Sequence, residues 1–151
     1  MTINDRLAEL GIELPSVAAA AGSYLPTVRT GNLLFTAGQL TFVDGKLPAT
    51  GRVGAEISPE DAKAYARLAG LNLLAAVDAA VGLDAVERVV KVVGFVASAE
   101  GFTGQPGVVN GVSDLLAEVF GEAGRHARSA VGVAELPLGA PVEVEAILQV
   151  R

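Results

Sequence analysis

The chain has no cysteine, no tryptophan and a single histidine, His126. These absences exclude disulfides, thiol nucleophiles, iron–sulfur clusters and cysteine-ligated zinc, together with any two-histidine metal site in one chain. Basic residues are also scarce: 11 Lys and Arg face 17 Asp and Glu, a formal charge of −6. Nucleic-acid binding needs a basic stripe to displace counterions, so no nucleic-acid partner is expected. Long hydrophobic runs are missing too, because the most apolar stretch, residues 68–83, is interrupted by Asn72 and Asp78 and falls short of a membrane span. Asp5, Arg6 and Glu9 stand where a signal peptide needs an apolar stretch. The expectation is a soluble protein of the cytoplasm with no membrane partner.

What is present is a chain of 151 residues, near the common size of one domain and able to bury about 70% of its unfolded surface. Residues 1–151 are read as one domain, with 1–22 as an amino-terminal extension. The hydrophobic share is 51% but aromatics are only 5%, so Ala, Val, Leu and Gly carry it. Such a composition leaves more apolar surface than one subunit can hide, which points to an oligomer.

Local signals divide the chain into elements. Asn4 or Asp5 can cap a short helix ending at Gly11, and the Ala-rich stretch between Pro15 and Pro26 has no period, reading as strand or loop. Leu33 to Ala37 is a short apolar strand and Asp44-Gly45 a hairpin turn, together predicting a β-meander. Ser58-Pro59-Glu60-Asp61 supplies a cap, a first-turn proline and two acids at the positive end of a helix dipole. Apolar residues at 62, 66, 69, 73, 76, 77 and 80 continue that helix until Gly82. Arg88 to Ala97 reads as a buried strand, Gly101 to Gly107 as a glycine loop and Val108 to Phe120 as a second amphipathic helix. Ala127–Ala134 and Val142–Val150 are two further strands. The order β-β-β-α-β-α-β-β predicts an α+β fold, a mixed sheet with two helices on one face.

Motifs for nucleotide hydrolysis, dinucleotide binding, serine hydrolysis and zinc proteolysis are not found. His126 and Ser129 lie three apart on one predicted strand, so they point to opposite faces and cannot pair as base and nucleophile; His126 is read as structural or surface. Arg128 remains, an arginine inside an apolar strand whose same-face neighbours Ala130 and Gly132 leave a hollow. Its planar fork suits bidentate capture of a carboxylate. The alternative is an arginine paired with a glutamate across the sheet. If the last two strands form a hairpin centred near Leu138-Gly139, paired numbers sum to about 277, which puts Arg128 opposite Gln149. Glu143 then lies about 20 Å along the ladder, and a site using both residues needs two subunits.

The run Ala127-Arg128-Ser129-Ala130-Val131-Gly132-Val133-Ala134-Glu135-Leu136-Pro137, followed by Gly139 and Val142-Glu143-Val144-Glu145-Ala146, resembles the carboxy-terminal signature of the Rid (YjgF) family. Gly31-Asn32-Leu33-Leu34-Phe35-Thr36-Ala37-Gly38-Gln39-Leu40 is similar to that family's early strand motif, and Val109-Asn110 to the pair before its second helix. The resemblance implies a chorismate-mutase-like fold and a homotrimer with clefts between subunits. It also implies hydrolysis of enamines and imines, 2-imino acids giving 2-oxo acids and ammonia without cofactor or metal. Carried over by position, Arg128 would clamp the substrate carboxylate, Glu143 would orient the attacking water, and Tyr24, Gly38 and Asn110 would line the cleft. An imine is already electrophilic, so positioning and electrostatics supply most of the help needed. The chain departs from the family pattern at Ala37, where a serine is usual, at Ala130, where a cysteine is usual, and at His126, where a proline is common. A second reading, a non-catalytic trimer that binds or senses small 2-oxo acids, uses the same Arg128. The endoribonuclease label attached to the family fits poorly with the acidic charge.

Overall fold

The computed structural model describes residues 1–17, 20 and 22–151. Ser58 starts the long helix α2 (Pro59–Val81), its hydroxyl accepting from the Asp61 amide at 3.1 Å. Gly82 ends it at φ 77°, a conformation that costs glycine nothing. Ala62, Ala66, Ala69, Leu73, Ala76 and Val77 form its buried stripe, while Ala80 reaches solvent. Small residues let α2 lie close to α3 (Gln105–Phe120), where a Cβ on Gly70 would come within 2.9 Å of Val112 and Leu115. By length and composition α2 could cross a bilayer, but half of its apolar window is buried, as in a core helix.

The five strands are β1 (Thr27–Thr30), β2 (Leu33–Thr36), β3 (Val86–Ala97), β4 (Ala127–Val133) and β5 (Val142–Val150). They lie in the order β1-β2-β5-β3-β4, giving an α+β mixed sheet. β3 and β4 are parallel, joined through α3, and the other neighbours are antiparallel. β4 and β5 therefore do not form the expected hairpin, and Arg128 lies beside Val92 rather than Gln149. The reason is the helical crossover, which returns the chain parallel to β3 on one side and leaves the other side for β5. There β5 gains two neighbours and buries every second residue, whereas a hairpin would have left it at an edge.

Three local readings also change. No third meander strand forms, because residues 42–47 make a tight turn with one bridge, Val43 to Lys46, around Asp44 and Gly45 at φ 50° and 78°. The amino-terminal helix α1 (Ile3–Glu9) is capped by Thr2, not by Asn4 or Asp5. Asp5 instead closes a capping box from the third position. α3 begins at Gln105, so Gly107 is helical rather than part of the preceding loop. Between Pro15 and Pro26 no strand forms among the described residues, and residues 18, 19 and 21 of that stretch lie outside them.

Register divides the sheet into two faces. Leu34, Leu148, Val92 and Val144 face the helices and are almost fully buried. The opposite face carries Val28, Phe35 and Val131, which remain 55%, 40% and 42% exposed, beside Val93, Phe95 and Ile147. Beyond β2, the chain crosses α2, and Asn72 donates its side-chain amide to the carbonyls of Leu40 and Phe42 at 3.0 Å each. Between them Thr41 is fully buried, and its hydroxyl has no partner among the described residues. A buried hydroxyl without a hydrogen bond costs about 1–3 kcal/mol. Thr41→Val should therefore raise the melting temperature, by about 2–4 °C for each kcal/mol of that cost it removes, in a thermal scan followed by circular dichroism. A fall would show that the hydroxyl is stabilising.

Candidate functional site

Arg128 sits on the edge strand β4 and faces the helix side of the sheet, in register with buried Val92. Its Nη1 donates to Asn110 Oδ1 at 2.7 Å and to Ser113 Oγ at 3.2 Å. Asn110 and Ser113 are one turn apart on α3, so the parallel crossover that places α3 over β4 also aims this arginine. No salt bridge among the described residues engages Arg128. The arginine–glutamate pair considered above is thus not formed. Neutral acceptors hold one nitrogen and leave the charge, with the rest of the fork, for an anion. Ser113 was not expected as a partner, although its spacing of three from Asn110 on an amphipathic helix is a readable signal.

The hollow beside Arg128 is shorter than the sequence suggests. A Cβ on Gly132 would lie 2.7 Å from Gln105 Nε2 and 3.0 Å from Ser98 Oγ, so those side chains already fill that end. Gln105 is fixed there by donating to Ser98 Oγ at 3.1 Å and to the Phe102 carbonyl at 2.8 Å. On the other side Arg128, Arg125 and His126 border an open cavity of about 420 Å³. Burial, with the Arg128 charge nearby, holds His126 below the ordinary imidazole value, although its contact with the Ala127 carbonyl acts the other way.

Glu143 occupies the opposite face of the sheet, two strands from β4. The backbone of Gln39 exchanges two hydrogen bonds with Val144, at 2.8 and 3.0 Å, and this bridge lays residues 38–42 beside the carboxylate. A Cβ at Gly38 would come within 2.6 Å of Glu143 Oε2, so glycine here leaves the carboxylate its position. Tyr24, Gly38, Phe42, Leu138 and Glu143 line a cavity of about 310 Å³. Leu138, which the sequence places only in a loop between the last two strands, stands at φ 60° and 72% exposed, an apolar residue in a strained conformation in the cavity wall. Burial pushes the Glu143 carboxyl above the usual carboxylate range, and Glu145, two residues along on the same face, adds to the shift. Among the described residues no group of three or more His, Cys, Asp or Glu side chains could hold a metal ion.

The five candidate residues thus fall into two groups, Arg128 with Asn110 and Glu143 with Tyr24 and Gly38. Through the register Arg128–Val92–Ala146, the two Cα atoms are separated by three residues and two strands, about 14 Å from ordinary strand spacings. Because the groups also occupy opposite faces, one protomer cannot bring both to one small substrate.

Residues 4–146 match the profile of the family described as "YjgF/chorismate mutase-like, putative endoribonuclease". The chain belongs to this family. A curated relative, Protein TCP17 of Trypanosoma cruzi, is 47% identical over 147 residues, covering 96% of this chain and 92% of that protein. Atu1372 of Agrobacterium tumefaciens, a crystal structure of unknown function, aligns with a TM-score of 0.91 at 46% identity, over 99% of this chain and 92% of its own. A Shewanella oneidensis family member, described as the family is, aligns at 0.96 with 36% identity, over 99% and 100% of the two chains. The YjgF fold and the chorismate-mutase-like sheet expected from the motifs are therefore those of the structure.

The Glu143 environment has a consequence for stability. A carboxyl with a raised folded pKa favours the protonated folded state, so its contribution is complete at low pH and is lost as pH rises through the folded value. Glu143→Gln cannot ionise and escapes that loss. Relative to wild type, the variant should gain stability as pH rises above about 4.3, the ordinary glutamate value. Urea unfolding at pH 4 and pH 7 measures this difference, and a gap that shrinks with pH would contradict the burial of the charge.

Proposed function

We propose that the protein hydrolyses small 2-imino acids and their enamine tautomers to 2-oxo acids and ammonia. The working form is a homotrimer, with clefts that combine Arg128 and Asn110 of one subunit with Tyr24, Gly38 and Glu143 of the next. The observation that carries the reading is the Arg128 guanidinium, aimed by Asn110 and Ser113 and left without a carboxylate partner among the described residues. A fork held in this way suits a substrate carboxylate. The exposed apolar face around Val28, Phe35 and Val131 supplies the surface for association. A related E. coli protein, TdcF, 28% identical with a TM-score of 0.64, has been seen with serine bound, and serine carries the same carboxylate.

In the proposed reaction Arg128 binds the carboxylate and fixes the imine carbon in the cleft. Glu143 accepts a proton from water as the oxygen adds to that carbon, a role that a raised pKa favours. The imine enters protonated on nitrogen, so this addition gives a neutral carbinolamine. Glu143 returns its proton to that nitrogen, the C–N bond breaks, and ammonia leaves as the hydroxyl proton passes to solvent and the carbonyl forms. The acidic charge of −6 argues against the RNA backbone as the substrate suggested by the family's description. Ammonia release from freshly generated 2-iminopropionate, compared with its spontaneous hydrolysis, tests the proposal. Absence of acceleration, with 2-oxobutyrate still bound in calorimetry, would leave a non-catalytic carboxylate-binding module instead.

A further inference from the structure

A second cavity, of about 630 Å³, lies beside the Glu143 cleft. Phe42 is a wall of both. The chain before β1 borders both as well: Pro15, Ser16 and Val17 face the second cavity, whereas Tyr24 and Pro26 face the cleft. We propose that this cavity is a side-chain slot for the substrate, selecting 2-imino acids with a long aliphatic side chain that ends in a cation. The inference rests on the deaminase reading above and names its substrate class.

The slot's chemistry is asymmetric. Pro15, Val17 and Phe42 offer apolar walls of the kind that methylene stems pack against. Asn72 also lines it and is only 6% exposed. Both of its amide hydrogen bonds go to the Leu40 and Phe42 carbonyls, so the group it can offer a ligand is Oδ1, an acceptor. Asp44 contributes a carboxylate from the turn, and no salt bridge among the described residues engages it. Lys46, which closes that turn, does not line the cavity. Apolar walls leading to two acceptors match a stem with a donor-only, positively charged tip such as guanidinium. Asp44 is exposed and acts by attracting the charge, whereas Asn72 is buried, so a neutral alkyl tip would cover the Asn72 Oδ1 without pairing it, the kind of mismatch that enzymes discriminate.

The test uses imino acids released in situ by an amino-acid oxidase, with ammonia release as the readout. The ratio of kcat/KM for a guanidino-tipped 2-imino acid to that for a neutral alkyl 2-imino acid of equal length should be at least about ten. Asp44→Asn should reduce this ratio several-fold while the turn persists, because asparagine also accepts the left-handed conformation at φ 50°. Val17→Trp, which fills the slot, should lower kcat/KM for long imino acids relative to 2-iminopropionate. A wild-type ratio near one, or an Asp44→Asn ratio equal to wild type, overturns the slot. If wild type accelerates no imine hydrolysis, the deaminase reading falls separately. The same ratio is then read as calorimetric Kd values of the two corresponding 2-oxo acids, and binding of neither overturns the slot as well.

Discussion

Arg128→Ala is expected to lower both turnover and 2-oxo acid affinity by about 30-fold or more while leaving the fold intact. Removing one partner of a desolvated, hydrogen-bonded charge pair costs about 2–5 kcal/mol, and each 1.4 kcal/mol is ten-fold. The fold should survive because Arg128 lies on an edge strand and its protein partners, Asn110 and Ser113, stand on a helix anchored by buried Val109, Val112 and Leu116. Arg128→Lys should rescue little. A lysine presents one point charge and cannot hold Asn110, Ser113 and a planar carboxylate at once. Ammonia release and calorimetry, read beside circular dichroism, check the three parts together. Wild-type activity in Arg128→Ala would show that the site lies elsewhere.

The second large effect concerns Glu143 and the assembly. Glu143→Gln should lower kcat by about 10²–10⁴-fold, the range for a lost general base, with little change in 2-oxo acid binding. Equal losses in both would make Glu143 a binding or folding residue. Because Arg128 and Glu143 occupy opposite faces of one sheet, a shared cleft must draw them from two subunits. Mixing inactive Arg128→Ala with inactive Glu143→Gln chains, refolded together, should then restore activity. In a closed ring each cleft takes its arginine from one chain and its glutamate from the next, so random mixing of equal amounts makes about a quarter of the clefts intact. Mixtures that stay inactive although mass measurement confirms hybrid trimers, or a fully active monomer, would remove the shared cleft.

Much of this arrangement is legible in the amino-acid sequence. Ser58, Pro59, Glu60, Asp61 and Gly82 bracket α2 by themselves, because a cap, a first-turn proline and a terminal glycine act within a few residues of where they stand. Arg128 stood out because a charged side chain in a strand of Ala, Ser, Val and Gly requires a partner or a task. Glu143 and Glu145 alternate with Val142 and Val144, and that period of two put both acids on the same face as the structure does. At the amino terminus local rules pointed at the right turn and the wrong residue. Asp5 belongs to the capping box as its third-position member, so a cap-type residue stood on either side of the true start at Ile3.

The sequence by itself determined the family, the two long helices, the segments of β2, β3, β4 and β5 and which side chains share a face of each, all of which rest on short-range periodicity and on motifs. Only the tertiary structure decided that β5 enters between β2 and β3 and that β4 lies at the edge, parallel to β3. From that arrangement follow the opposite facing of Arg128 and Glu143, the filling of the Gly132 hollow by Gln105, and the slot that Pro15, Val17 and Asn72 form beside Phe42. A strand's own residues specify its two faces, but its neighbours depend on where the crossover helix returns the chain and on which position buries the most backbone, and those are properties of the whole sheet.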